Sequence, residues 1–166
     1  TSNEHGITVC GIGADQRGYV LEDASMRGSP HQWATRVVAM FDLWEADAIV
    51  IEVNMGGDMV KHTLQTIRRG LPIIEERAAK GKHVRAEPIA ALYATNRVSH
   101  VGTFSELEDQ FCLFTAHGWE GDDDKSPDRA ESAIWAFTNL FPKLTRGRGR
   151  EKSEPPARPR QEAWMG

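Results

Sequence analysis

The segment IVIEVNMGGDM, residues 49–59, constrains the fold most, because a short apolar run carries a carboxylate and then ends at a glycine pair. The β-branched residues around Glu52 predict a buried strand, since such side chains fit a pleated sheet. Burying an unpaired carboxylate is costly in free energy. Glu52 is therefore expected either to face solvent at a sheet edge or to lie at the exit of the strand, where a functional site uses it.

The rest of the pattern predicts an α/β domain with a mixed sheet. Residues 7–12 and 19–22 predict a β-hairpin, and residues 48–53 predict the next strand. Ser29 and Pro30 predict the start of a helix, as an N-cap followed by proline at the first helical position. Strands that alternate with helices after an opening hairpin are typical of this fold class.

Local boundary signals divide the rest of the chain. They predict a helix after Asp58 that ends by Gly70, a loop and short strand over 80–88, a helix over 89–94, an extended or turning segment over 97–101, a capping-box helix from Thr103 through Phe114, and a last helix from Ser126–Pro127 to about Leu140.

Composition limits the class of protein. The chain has 166 residues, of which 27% are charged, and a net charge of −4, which does not by itself indicate a nucleic-acid binder. No apolar run reaches the roughly 18 residues that a membrane helix needs. Cys10 and Cys112 lack a CxxC partner, which disfavours a zinc site and favours a reducing compartment. Residues 1–142 are predicted to form one domain, and residues 143–166, rich in Arg, Pro, Gly and Glu, a disordered basic tail.

Three carboxylates form the candidate site. Glu52 ends the predicted strand, and Asp128 and Glu131 lie three positions apart on the last helix, so they share a face. Carboxylates brought together at the exit of a sheet can bind hard cations such as Mg²⁺, and two such ions can assist phosphodiester hydrolysis. A structural role stays open for each acid: Asp128 suits the positive end of the helix dipole, and Glu52 suits a strand edge.

Four stretches, in the same order along the chain, resemble the C-terminal nuclease domain of the tailed-phage terminase large subunit. They are GYVLEDAS (18–25), IVIEVNMGGDMV (49–60), KHVRAEPIAALYATNRVSHVGTFSELEDQF (82–111) and SPDRAESAIWAF (126–137). The resemblance implies an RNase H-like mixed sheet flanked by helices. It also implies a divalent-metal endonuclease that cuts concatemeric double-stranded viral DNA during genome packaging.

The resemblance also assigns residues. By motif match, Glu52 would be the second catalytic, metal-binding acid and Asp128 the third, and Glu131 stands where the family usually has a further aspartate. The implied cofactor is Mg²⁺ or Mn²⁺, with two ions in the complete domain. The basic residues expected to contact DNA phosphates in these segments are Lys82, Arg85, Arg97, His100 and Arg129.

The partners implied by the resemblance are double-stranded DNA, the terminase ATPase domain, the small terminase subunit and the portal protein, with no membrane. The implied location is the host bacterial cytoplasm, at the procapsid during packaging. The tail from Lys143 is basic, but Glu151, Glu154 and Glu162 dilute its charge, so non-specific DNA contact and docking to a portal both stay open.

One departure from the family bears on activity. The family's first catalytic aspartate lies on the central strand of the sheet, shortly before the position of Thr1, so we expect that strand to be missing from this chain and the chain alone to be weak or inactive. Two other interpretations stay open. The chain is then either another RNase H-like nuclease, such as a junction resolvase, or a non-catalytic DNA-binding or assembly module.

Overall fold

The structure is a computed structural model that describes residues 4–53, 58–115, 118–121 and 126–145. The strands are β1 (Glu4–His5), β2 (Thr8–Ile12), β3 (Gly18–Asp23), β4 (Met26–Arg27), β5 (Ile49–Glu52), β6 (Ile73–Glu76), β7 (Val98–His100), β8 (Phe114–Thr115) and β9 (Gly118–Trp119). The helices are α1 (Pro30–Leu43), α2 (Asp58–Ile67), α3 (Lys82–Ala94), α4 (Ser105–Cys112), α5 (Asp128–Leu140) and α6 (Pro142–Thr145). None of the helices in these ranges is long and apolar enough to cross a membrane.

The strands confirm the predicted mixed α/β class. β2 and β3 form the predicted antiparallel hairpin, and β7 adds to β3 in parallel. β5 and β6 form a separate parallel pair. The short pairs β1–β4 and β8–β9 are antiparallel. α1 begins as predicted, with Ser29 as the N-cap and Pro30 as the first helical residue. The Ser29 side chain accepts a hydrogen bond from the Gln32 N–H in a capping box.

The sheet is interrupted between β2 and β5. Within the described residues, β2 pairs only with β3 and β5 pairs only with β6. Every residue of both strands lines one cleft, which is walled by residues of α1 and α5. The interruption therefore lies between the hairpin and β5, which is the position that the family resemblance predicts for the central strand.

Each side of the cleft has its own hydrophobic core. We call β2, β3 and β7 with α3, α4 and α5 the large half, whose core includes Val20, Leu107 and Phe137, each 0% exposed. We call β5 and β6 with α1 and α2 the small half, whose core is built around Ala34 and Leu64. α5 belongs to the large half and also contacts β5, so it joins the two halves across the cleft.

The predicted short strand before residue 89 is wrong, because residues 82–88 belong to α3 and only residues 80–81 of the predicted loop precede the helix. Pro88 lies inside the helix, where it removes one backbone donor. Ala86, Ile89 and Leu92 are buried in the core of the large half. Burial of this apolar face outweighs the local cost of proline, since tertiary context overrides helix propensity.

Three other boundaries differ from the sequence prediction. The capping box at Thr103 does not form, because α4 begins after Phe104 without a side-chain cap, and Phe114 lies in β8 instead of the helix. Residues 73–76 form β6, which the sequence analysis did not predict. The predicted tail begins with α6, which extends to Thr145, and residues 146–166 lie outside the described residues.

Candidate active site

Glu52 is the last residue of β5 and lines the cleft. Strand alternation points Ile49 and Ile51 into the core of the small half and turns Glu52 to the other face. Its side chain is 26% exposed, so its carboxylate keeps access to solvent. Parallel pairing with β6 holds this position, and the Val53 N–H donates to the Glu76 carbonyl directly after the strand.

Asp128 and Glu131 come from the first turns of α5. The helix buries Ala130, Ala133 and Phe137 in the large half, and this orientation leaves Asp128 and Glu131 in the wall of the cleft. The two acids are one helical turn apart. The first turn of α5 therefore brings two carboxylates to the cleft that Glu52 enters from β5.

The environment of Asp128 disfavours its charged form. Burial raises the pKa of Asp128 above its ordinary value, and the nearby carboxylates of Glu131 and Glu4 raise it further. A hydrogen bond with Ser126 and the ammonium of Lys82 oppose this rise in the pKa. A carboxyl group with a perturbed pKa in a cleft is a candidate functional group, and a bound cation would relieve the repulsion between these carboxylates.

Two cations from α3 connect the acids. The Arg85 Nη2 atom lies 2.7 Å from Glu131 Oε1 and 3.9 Å from Glu52 Oε1. The Lys82 Nζ atom lies 2.9 Å from Glu131 Oε2. Arg85 also stacks over the ring of Trp135, 4.9 Å from its centroid. The site is thus a mixed cluster in which Glu131 is paired with two cations. Among the described residues, neither Glu52 nor Asp128 has a cation at hydrogen-bonding distance.

The donor chemistry of the site fits a hard divalent cation only in part. Carboxylate oxygens are the ligands that Mg²⁺ and Mn²⁺ prefer. However, the described part of the chain contains no group of three or more Asp, Glu, His or Cys side chains arranged to hold a metal ion. Glu52 and Asp128 supply the type of oxygen ligand that such an ion prefers, but the described residues do not complete a set of ligands around them.

Comparison with known proteins identifies the family. The profile of the terminase RNaseH-like domain matches residues 1–140. The chain belongs to the terminase RNase H-like domain family. A solved structure of the yeast mitochondrial Holliday junction resolvase is similar at a TM-score of 0.48 and 11% identity, covering 84% of this chain and 75% of that chain. No curated protein sequence matches the chain significantly.

The five basic residues predicted to contact DNA occupy different environments in this terminase domain. Lys82 and Arg85 lie beside the acids, as described above. Arg129 is buried and bonds to carboxylates on three other segments: Glu4, Asp23 and Glu106. Its guanidinium therefore joins β1, β3, α4 and α5, and we leave it out of the DNA surface proposed below.

His100 and Arg97 also have partners within the large half. The His100 ring lies 2.7 Å from the Tyr93 hydroxyl and 2.8 Å from a Glu108 carboxylate oxygen. The Arg97 guanidinium lies over the ring of Phe141, 5.4 Å from its centroid. Neither residue lines the cleft. These contacts explain both positions by packing within the terminase domain, so Lys82 and Arg85 are the basic residues that the structure brings to the acids.

Two cleft residues have a place that the sequence did not indicate. Glu4 lines the cleft and contributes to the raised pKa of Asp128, although it is more than 120 positions away. The Trp135 Nε1–H is buried without an acceptor among the described residues. No local pattern reveals either feature, because each depends on how β1 and α5 come together. Asn54 and the glycine pair after β5 lie outside the described residues.

Proposed function

We propose that this terminase domain is a divalent-metal-dependent endonuclease that cuts concatemeric double-stranded DNA during phage genome packaging. The observation that supports the proposal is that Glu52, Asp128 and Glu131 line one cleft of a terminase RNase H-like domain. Two cations, Lys82 and Arg85, form ion pairs with these acids. Acids suit a metal ion and cations suit phosphates, so their combination suits the hydrolysis of a phosphodiester.

Glu52 and Asp128 are the residues that would hold Mg²⁺ or Mn²⁺. When bound, such an ion would stabilise the charge on the attacking and leaving oxygens of the phosphodiester. Glu52 keeps 26% of its side chain exposed and has only a 3.9 Å contact with Arg85, so its carboxylate is accessible to a cation. The carboxylates of Glu131 and Glu4 near Asp128 also favour a bound cation, because it would relieve their repulsion. Lys82 is 45% exposed and pairs with Glu131 of the cleft, so it can contact a phosphate of the DNA backbone.

The remaining ligand would come from a strand in the cleft between β2 and β5. Both flanking strands leave one edge unpaired within the described residues, and an unpaired edge is a template for another strand. A backbone carbonyl of such a strand could accept from the buried Trp135 Nε1–H, which otherwise costs about 1–3 kcal/mol. A carboxylate at the end of that strand would complete the acidic set.

The partners follow from the same proposal. Double-stranded DNA is the substrate, and the terminase ATPase domain, the small terminase subunit and the portal protein would complete the packaging complex at the procapsid in the host cytoplasm. A second candidate is a non-catalytic DNA-binding module. The observation that favours it is the lack of a three-ligand acidic group among the described residues.

Plasmid nicking in Mg²⁺ or Mn²⁺ tests the proposal. The chain of residues 1–166 is compared with a variant that carries an N-terminal extension, one apolar strand ending in aspartate. Glu4 and His5 already line the cleft, so an extension at this end can enter it. We expect weak or no nicking by the chain alone and at least about tenfold more with the extension. That rise corresponds to about 1.4 kcal/mol of barrier.

Matched variants decide between the two candidates. The same extension ending in asparagine should stay inactive, and Glu52→Ala or Asp128→Ala in the active form should abolish nicking while circular dichroism stays unchanged. Asp109→Ala, on the exposed surface of α4, should leave nicking unchanged. Duplex binding without nicking in every form would support the non-catalytic module. Nicking that survives both alanine substitutions would remove these acids from the site.

A further inference from the structure

Both carboxylate oxygens of Glu131 are occupied by cations. Oε1 lies 2.7 Å from Arg85 Nη2, and Oε2 lies 2.9 Å from Lys82 Nζ. The Glu131 side chain is 11% exposed. A carboxylate that is buried and paired with a cation at each oxygen has both oxygens engaged by protein groups, which disfavours a role as a metal ligand. Its position suits a different task from that of Glu52 and Asp128.

The two cations are arranged by the start of α3. Lys82 and Arg85 are three positions apart, so they share one face of the helix. The Arg85 Nη1–H also donates a hydrogen bond to the Lys80 carbonyl at 2.5 Å, and the guanidinium stacks on the ring of Trp135. The Arg85 side chain is 11% exposed, so burial and these contacts fix its position.

Lys82 is the member of this group that faces solvent. Its ammonium donates to Ser126 Oγ at 2.9 Å as well as to Glu131. An ammonium has three donors, so one has no acceptor among the described residues. The Lys82 side chain is 45% exposed, and it influences the pKa of Asp128. The free donor is thus held next to the proposed metal-binding acid.

We propose that Glu131 is a positioning residue, which holds Lys82, with Arg85 behind it, as a phosphate contact beside Glu52 and Asp128. The proposal rests on the proposed function, since it assigns the DNA contact of that same cleft. It gives Glu131 a role distinct from that of a metal ligand. A flexible lysine loses rotamer freedom when it binds a phosphate, and the Glu131 carboxylate fixes the lysine before DNA arrives.

The sign of the effect separates positioning from simple charge. Removing the negative charge of Glu131 makes the cleft more positive, so a charge effect alone would tighten binding to DNA. Loss of positioning would weaken binding, because Lys82 would no longer be held at the phosphate. Glu131→Gln therefore gives opposite results under the two explanations.

The experiment measures fluorescence anisotropy of a labelled DNA duplex with the full chain, in EDTA, at salt concentrations from about 50 to 200 mM. EDTA removes divalent ions, so a metal-ligand role cannot affect the result. We expect Lys82→Gln and Glu131→Gln each to weaken binding and to lower the slope of log affinity against log salt by about one. The double variant should be no weaker than either single variant, because both changes remove the same contact.

Glu75→Gln is the matched control. Glu75 pairs with Lys61 on the surface of the small half, and neither residue belongs to the group formed by Glu131, Lys82 and Arg85. This control removes one carboxylate from a lysine without touching the proposed DNA surface, so binding should stay equal or become slightly tighter. Glu131→Asp keeps the charge but shortens the side chain, and it should weaken binding at unchanged net charge even if the Gln variant fails to fold.

The outcomes separate the two proposals. If the wild-type chain shows no salt-dependent duplex binding, the proposed function fails and the role of Glu131 fails with it. If the wild type binds and Lys82→Gln weakens binding, but Glu131→Gln binds equally or more tightly, only the role of Glu131 is overturned. Thermal unfolding of each variant confirms that the compared proteins are folded.

Discussion

The two halves of the molecule differ in how completely they are packed. The large half buries eleven residues around three helices and three strands, and Phe137, Leu107 and Val20 have no exposed surface. The small half buries six residues around two helices and two strands. Ile49, Ile51 and Leu71 in this smaller core keep 7–9% of their surface exposed. The small half is therefore expected to be the less stable of the two.

This difference matters because the candidate site is divided between the halves. Asp128 and Glu131 stand on α5, which is fixed in the large core, whereas Glu52 stands on β5 in the small core. The 3.9 Å contact from Arg85 to Glu52 crosses from one half to the other. The geometry of the acids thus depends on how firmly the weaker half is held against the stronger one.

Substitutions that create a cavity in either core should reduce the free energy of unfolding the most. They should also show whether the two halves can unfold separately. Phe137→Ala removes a fully buried ring from the large half and is expected to cost about 3–5 kcal/mol, which affects the whole chain. Leu64→Ala removes a side chain that is 1% exposed in the small half, at about 2–5 kcal/mol. Urea unfolding measures the total, and hydrogen exchange shows where protection is lost.

The distribution of the exchange is the decisive result. Leu64→Ala should raise exchange in β5, β6 and α2 while α5 and β3 stay protected, because local opening follows separate cores. Phe137→Ala should raise exchange in both halves, since α5 supports the cleft from the large side. Equal loss of protection across the chain in the Leu64→Ala variant would show that the two halves unfold as one unit.

Breaking one ion pair in each half also compares the stability of the two halves, with smaller expected effects than the core substitutions. Arg129→Met in the large half leaves Glu4 and the buried Asp23 without their partner, and we expect a loss of about 3 kcal/mol, the lower end for breaking a buried pair. Arg68→Met in the small half breaks a pair with Asp42 in which both side chains are well exposed. Such surface pairs contribute about 0–1 kcal/mol.

Chemical denaturation at low and high salt measures both substitutions. The effect of Arg68→Met should shrink with added salt, because exposed charges are screened, while that of Arg129→Met should persist. A loss at Arg129 no greater than at Arg68 would mean that the network of Arg129 does not hold β1 and β3 to α5.

The sequence predicted the site better where the signals are local. The strand before Glu52 and the helix that starts at Asp128 follow from β-branched residues and from helix-start patterns. The helix predicted over residues 89–94 is the second half of α3. Its first half is not predicted, because Pro88 is a local signal against a helix, while the buried face that stabilises α3 is a tertiary property. Local rules therefore placed Glu52 and Asp128 on their elements.

Long-range pairing is what the sequence could not supply. Arg129 is expected from its segment to contact DNA, yet it bonds to Glu4 and Asp23, which are 125 and 106 positions away. The pairing of Lys82 and Arg85 with Glu131 likewise joins two helices that are distant in the chain. No periodicity reveals which opposite charges meet, because that depends on the packing of α3 against α5.

Asp128→Asn should give the smallest effect, a gain in stability below about 1 kcal/mol at neutral pH. Burial and the carboxylates of Glu131 and Glu4 raise the pKa of Asp128 above its ordinary 3.8, so the folded state binds this proton more tightly than the unfolded state. Ionised Asp128 therefore destabilises the fold at a pH above its folded pKa. As the pH falls through that raised pKa, protonation of Asp128 removes this destabilisation. The stability of the wild type therefore rises relative to that of the variant.

Thermal unfolding of both proteins from about pH 7 down to pH 4 measures this difference, a range that ends near the ordinary pKa of aspartate. The asparagine variant should melt higher at neutral pH, and the gap should close with acid. Asp109→Asn, on the exposed surface of α4, should melt near wild type at every pH. A variant at position 128 that melts lower at neutral pH would mean that Lys82 and Ser126 stabilise the carboxylate more than burial disfavours it. The ionised Asp128 carboxylate would then be stabilised by its neighbours in the cleft. A bound cation would have no repulsion to relieve there.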